Sequence, residues 1–514
     1  MRYGFVRLIV LMLVTLLVIG PPAASAGASD EQVKGIEALV DLLRQKKVIS
    51  TEEASGILTR VGGRTEEARG PRVVIEKVDE QVPVLVESTG QEAAPPAKEA
   101  KVAAVSVSAA RPSEVEATRK VSFASDWSER IRWGGDIRLR YQADMFGEGN
   151  ALFKNPANPN KVMNTTEDRQ QARIRARLLV EAKVNDHVDA AVRLASGSSS
   201  SPISTNDNLG DHFAKDDVWI DQAYLKIKPV EDLVIWGGRF PNPFFSTDLV
   251  WDNDLNFEGA ALQYKTKLTR TVRPFAALGG FAIQEVELSD QDKWLLAAQI
   301  GAEVDITSKV QAKAGLSFYD YHNIVGERNT LGTPGLNDFT SPQFQQKGNT
   351  LIDIDPTAGE LYALASDFRL VNLTGQLDMG FWDPVRIVLF ADYVRNIGFD
   401  FEEVRARTLL DKTKISEEVD GYQFGLLVGH RAIREFGQWR TGLTYRYLES
   451  DAVVDAFTDS DFHGGGTNAQ GWILRGEYGL WNDFWLGLQW ITADEISGPP
   501  NAIDTLQMDL NARF

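Results

Sequence analysis

From Trp127 onward the chain alternates apolar and polar residues with a period of two, segment after segment, as far as Phe514. Such alternation puts successive side chains on opposite faces of a strand. Across residues 172–184 the even positions are Ala172, Ile174, Ala176, Leu178, Val180, Ala182 and Val184, whereas Arg173, Arg175 and Arg177 open the odd set. Asn185-Asp186 then supplies a tight turn, and Val188, Ala190, Val192 and Leu194 continue the apolar face. That is a hairpin with one apolar and one polar face. The pattern recurs at 131–141, 260–268, 294–304, 310–318, 371–379, 385–393, 422–428, 439–447, 472–480 and 484–490, and more weakly near 217–228, 233–240 and 272–282. With a last strand at 504–514, about 16 strands are expected, an even number as in bacterial outer-membrane barrels.

The connections alternate too. Short turns at 185–186, 229–232, 382–384 and 481–483 separate long polar loops near 142–170, 197–216, 322–360, 398–419 and 450–470. An outer-membrane barrel puts short turns in the periplasm and long loops outside. Aromatic residues often end the apolar faces, among them Trp133, Trp294, Tyr393, Trp439, Trp472 and Trp490. Aromatic ends around an aliphatic middle suit the two interfaces of a bilayer, so the apolar face is expected to meet lipid and the polar face a lumen.

The N-terminal part differs. Arg2 and Arg7 precede an apolar run at 8–20, then Pro21-Pro22 and Ala24-Ser25-Ala26, the pattern of a secretory signal peptide at 1–26. Its loss removes two Arg and no acid, taking the net charge from −18 to −20. Residues 27–65 have helical spacing (Val33, Ile36, Leu39, Val40, Leu43) with capping-box starts at Ser29 and Ser50, and are expected as a periplasmic helical segment. Residues 66–126, which lack Trp and Tyr and are rich in Glu, Ala, Val and Pro, are expected as a flexible linker before a barrel at 127–514.

Composition removes whole classes of chemistry. The absence of cysteine excludes disulfides, Fe–S clusters, thiolate zinc sites and c-type haem attachment. So acidic a chain would repel a phosphate backbone, and no nucleic acid is expected as partner. The five histidines carry no catalytic motif: His187 and His430 fall beside short turns, and His212, His322 and His463 in or beside long loops, all expected as surface imidazoles. Neither an enzyme nor a cofactor or metal site is expected.

One stretch combines the opening Trp133-Gly134-Gly135-Asp136-Ile137-Arg138-Leu139-Arg140 with Gly238-Arg239-Phe240-Pro241-Asn242-Pro243-Phe244 and, further on, Trp251-Asp252-Asn253-Asp254-Leu255. With the signal peptide, helical segment and linker, this resembles the "putative porin" family of Gram-negative bacteria over nearly the whole mature chain. The resemblance implies an outer-membrane porin and names no substrate.

The polar strand faces are basic. Arg130, Arg132, Arg138 and Arg140 share one face of the first strand, Arg173, Arg175 and Arg177 one face of the second, and Arg239 joins them as an expected pore-lining residue. Fixed charge in a narrow aqueous channel sets ion preference, so an anion-preferring wall is expected. The alternative is a wet wall in which each Arg pairs with an acid on a neighbouring strand. The connection at 241–256 holds Phe244, Phe245, Leu249, Val250 and Trp251 beside Asp248, Asp252 and Asp254. Folded inward, it would bury the first set and set the acids against the basic wall as a constriction. It cannot be an EF-hand, because Phe257 and Gln263 stand where Gly and Glu are required. The terminal strand alternates up to Phe514, the form of an assembly signal read by barrel-assembly machinery. The chain is therefore expected to be a passive pore for small hydrophilic solutes or ions, with outer-membrane lipid and that machinery as partners and a homotrimer left open. Two rivals stand beside it: a barrel sleeve around an electron-transfer conduit of partner cytochromes, and a structural tether acting through 27–65.

Overall fold

The computed structural model describes residues 130–514 apart from 156–157, 288, 356–359 and 409–414. The expected signal peptide, helical segment and linker lie outside the described residues. The main sheet has 17 strands, one being the two-residue piece Asp207–Asn208. The other sixteen follow chain order as an antiparallel meander. They are β1 (Ile131–Phe146), β2 (Arg169–Lys183), β3 (Val188–Ala195), β4 (Trp219–Val230), β5 (Leu233–Pro241), β6 (Asn256–Lys265), β7 (Val272–Gln284) and β8 (Lys293–Thr307). The second half holds β9 (Val310–His322), β10 (Arg369–Trp382), β11 (Val385–Asn396), β12 (Asp420–Gly429), β13 (Trp439–Leu448), β14 (Ala469–Trp481), β15 (Phe484–Glu495) and β16 (Ile503–Arg513). β16 returns to β1, with Leu139 opposite Leu510 and Arg140 opposite Asp509. The ring is closed, which leaves no edge of unpaired backbone.

Alternation assigns the faces. On β1, Trp133, Ile137 and Leu139 are exposed outward while Arg140 is buried inward. On β13, Trp439 and Leu443 are exposed while Thr444 and Arg446 are buried. Exposed aromatics concentrate on β10–β16 and β1, among them Tyr393, Tyr422, Phe424, Trp472 and Trp490, whereas β2–β7 expose Trp219 and Tyr264 alone.

The connections sort by length as well. The pairs β2–β3, β4–β5, β6–β7, β8–β9, β10–β11, β12–β13 and β14–β15 turn at one end, and the loops 147–168, 196–218, 242–255, 323–368, 397–419 and 449–468 all leave the other. The loop expected near 398–419 contains a short helix, α1 (Phe401–Arg407). The local chemistry explains it: Asp400 accepts from the amides of Glu402 and Glu403, and Arg405 and Arg407 lie in the last turn.

At the seam the Gly135 amide donates to the Phe514 carbonyl (2.9 Å) and the Phe514 amide to the Gly135 carbonyl (3.1 Å). A Cβ at 135 would lie 2.4 Å from the Arg177 carbonyl oxygen and 2.6 Å from the Phe514 ring. Gly135→Val is therefore expected to reduce the folded, heat-modifiable fraction on gels to a small minority. A wild-type folded fraction would show that the seam tolerates a side chain there.

The interior has two unlike halves. One buried apolar cluster joins Phe240, Phe257, Phe281, Leu295, Tyr319, Phe368, Leu370 and Val394 of the strands and their ends to Ile203, Trp251, Leu364 and Val453 of four long loops. The other half, along β1, β2 and β12–β16, is polar.

Candidate functional site

The loop after β5 is turned inward by its first residues. Asn242 Oδ1 accepts from the Phe244 amide (2.9 Å) and its Nδ2 donates to Ser246 Oγ (2.9 Å), an Asx turn between two prolines. Phe244, Leu249, Val250, Trp251 and Leu255 are then buried, with Trp251 edge-on to Phe257 and Tyr319 at about 5 Å. Burial of each such side chain is worth about 1.5–3 kcal/mol, so swinging the loop out would cost far more than thermal energy.

Polar contacts fix its path across the lumen. Gln299 of β8 accepts from the Phe245 amide (2.8 Å) and donates to its carbonyl (2.7 Å). Thr247 bonds Asp392 of β11 and receives Gln423 of β12. Asp248 pairs with Arg446 of β13 (2.6 Å) and Arg475 of β14 (3.1 Å). Asp254 pairs with Arg177 of β2 (3.0 Å) and stands 3.8 Å from Arg175. The loop thus touches opposite walls. The 449–468 loop braces it: the Thr458 hydroxyl donates to the Leu249 carbonyl (2.9 Å), and the Ser460 amide to Asp252 (2.8 Å).

The wall arginines are mostly paired. Arg175 and Arg177 share Asp136 at 2.8 Å each. Arg140 pairs with Asp509 (2.8 Å) and Asp461 (3.0 Å), while Arg138 bonds Asn206 (2.5 Å) and stands 3.9 Å from Asp509. Arg173 bonds Asn208 and Gln142. Arg130 and Arg132 lie at the short-turn end, away from this lattice. Arg239 stands at the long-loop end of β5, where it pairs with Glu258 and donates to the Asp221 carbonyl (2.8 Å), and it lines a cavity beside Trp251 and Leu255 of the inward loop.

A cavity of about 480 Å³ lies between the crossing loops and the polar wall. Five arginines line it (Arg138, Arg140, Arg175, Arg440, Arg475) and so do seven carboxylates (Asp248, Asp252, Asp254, Asp459, Asp461, Glu477, Asp509). That count does not give the expected anion-attracting wall, because the loops and β16 bring acids to the arginines. Among the loop acids, burial works against ionised Asp248, but the Arg446 and Arg475 guanidiniums outweigh it and hold the carboxyl well below its ordinary range. Asp252 is pushed the other way, up to about 8, by burial first and by the Asp459 carboxylate second.

Asp459 and Asp461 were not foreseen. The signal was present in 449–468, where Asp451, Asp455, Asp459 and Asp461 alternate with Ala452, Val453, Val454, Ala456 and Phe457, a loop too apolar to be wholly solvated. His463 also differs from expectation, being buried at 1 % exposure with Nε2 2.6 Å from the Asn501 carbonyl and Nδ1 against Lys347. Burial, then the Lys347 ammonium, hold it well below its ordinary pKa, so it is a neutral structural imidazole. Among the described residues, no cluster of three or more His, Asp or Glu side chains could hold a metal.

A family model described as "putative porin" matches residues 34–514. No curated protein matches the chain. Similar solved structures include Pseudomonas putida OprB at high pH, at 12% identity, 75% of this chain, 95% of that one and TM-score 0.45. The outer membrane channel DcaP of Acinetobacter baumannii shows 14% identity, 75% and 97% coverage and TM-score 0.39. Salmonella typhi OmpF in complex with daunomycin shows 10% identity, 75% and 97% coverage and TM-score 0.42.

Proposed function

The chain belongs to the putative porin family, and from that membership we infer an outer-membrane channel, not an enzyme, through which small hydrophilic solutes or ions diffuse passively. The observation that carries this is a closed ring with an exposed apolar exterior around a cavity walled by charged side chains. Such a wall belongs against water and such an exterior against lipid. Reconstituted protein is expected to give stepwise conductance in planar bilayers and to let small sugars into liposomes. Insertion without conductance would overturn the assignment. A cytochrome sleeve is disfavoured by the same interior, since buried loop side chains fill one half of the lumen.

Asp248, Asp252 and Asp254 are proposed as the constriction, facing Arg138, Arg140, Arg175 and Arg177. With acids and arginines both on the lining, the anion preference is weak at neutral pH and depends on which carboxylates carry charge. Asp252 is the adjustable one. Its raised pKa keeps it neutral below about 8, whereas the guanidiniums stay charged throughout. Raising the pH from 6 to 9 ionises it and is expected to move the reversal potential toward cations. Asp252→Asn should remove most of that movement; an equal movement in the variant would take Asp252 out of the selectivity.

A homotrimer is in keeping with the sparse exposed aromatics on β2–β7, because an arc covered by other copies needs no interfacial girdle. Light scattering in detergent would test it. Residues 27–65 are proposed to lie in the periplasm, and the Phe514 strand to be the segment that barrel-assembly machinery recognises.

A further inference from the structure

At the long-loop end a second cavity, about 430 Å³, lies among β8, the 323–368 loop and the 449–468 loop. Lys293, the first residue of β8, lines it and is 3 % exposed. Its ammonium donates only to the carbonyls of Thr340 (3.3 Å) and Ser341 (3.5 Å). It has no ion pair among the described residues, whereas Arg140, Arg177 and Arg446 of the lumen are each tied to carboxylates. Burying a cation without a counter-charge is unfavourable, and a bound anion would offset that.

The rest of the lining narrows the class of anion. Ile324, Phe344, Val454 and Phe457 give the cavity an apolar side large enough for a ring or a branched chain. Arg239 and Glu258 also line it and are paired with each other, so neither adds an unbalanced charge. Asp455 lines it too, and burial pushes that carboxyl up to about 7, leaving it mainly uncharged in mildly acidic solution. One cation beside an apolar surface within a few hundred Å³ is the make-up of a small-ligand pocket.

We propose that this cavity is a capture site for a small carboxylate bearing an apolar group, its carboxylate on Lys293 and its apolar group against Phe344 and Phe457. The site rests on the channel reading, in that such a solute would be held at the mouth before it passes the constriction. It is separate from the arginine-lined cavity and shares no side chain with it.

The test uses the full chain, folded in detergent, with 3-phenylpropionate as probe at pH 6 and isothermal titration calorimetry as readout. 3-Phenylpropanol lacks the charge and acetate lacks the ring. The acid is expected to bind saturably and at least tenfold more tightly than either. Lys293→Met should abolish the preference of acid over alcohol, and Lys293→Arg should keep it. Equal binding of acid and alcohol by the wild type would overturn the role of Lys293, and this comparison stands even if Lys293→Met fails to fold. Binding of acetate as tight as that of the aromatic acid would overturn the apolar half of the site. No saturable binding by a protein that conducts ions would overturn the site and leave the channel standing. Loss of conductance in bilayers would instead strike at the channel itself.

Discussion

Arg446→Met is expected to cost the barrel about 3–5 kcal/mol, the usual penalty for removing one partner of a buried ion pair. Arg446 is 1 % exposed and serves two loops at once, bonding Asp248 at 2.6 Å and Asp459 at 2.7 Å, with Gln423 at 2.9 Å and the Phe462 ring beneath it. Without it, two carboxylates remain buried near each other and only Arg475 still answers Asp248. The pH dependence should change sign as well. In the wild type Asp248 is held low, so its contribution is present above the unfolded carboxylate pKa and is lost only in strong acid. In the variant, burial without the cation raises Asp248 and pushes Asp459, which burial already holds above its ordinary value, further up. Stability should then be greatest below the unfolded pKa and fall as pH rises through the raised values. Urea midpoints of the reconstituted proteins at pH 5 and pH 8 would show this. Arg446→Lys should fall between the two, keeping the charge without the planar fork. A variant as stable as wild type at pH 8 would mean that the pairs at this site contribute nothing.

Replacing residues 244–251 by a short Gly-Ser link is expected to raise single-channel conductance severalfold. This segment bridges the wall at β8 to that at β13 and β14, and it carries four of the loop's five buried apolar side chains. Its removal opens the lumen at the level of Asp248 and frees Arg475 from its carboxylate. Reversal potentials should therefore move toward anions at low salt, and less so at 1 M, where the Debye length is about 3 Å. A loop-shortened pore of unchanged conductance would place the narrowest point elsewhere.

Much of this was legible in the sequence, for a physical reason. Lipid demands that every strand show it an apolar face, so the period of two survives in β1, β2 and β13–β16, and even the strand number and the end carrying the long loops follow from it. The weaker segments β5 and β7 were weak because their inner faces are also apolar: Trp236 stacks on Phe240, and Phe275 and Phe281 pack against Phe245 and Phe244 of the inward loop. Alternation fades where both faces are greasy. The pairing of the wall arginines was not legible. Asp461 is 321 residues from Arg140, and Asp248 is 198 from Arg446, separations that no local pattern records.

The seam between β1 and β16 has a consequence for how the molecule is made. Its partners, such as Arg140 and Asp509, lie 369 residues apart, nearly the full span of the barrel, so their encounter carries the largest loop-closure entropy of any pairing in the ring. Until that last zip, β1 and β16 each present an open ladder, and the braces across the lumen have no finished wall to tighten against. Folding must therefore commit late: the slow step is the meeting of the two ends, and whatever holds them together meanwhile acts as a catalyst of closure.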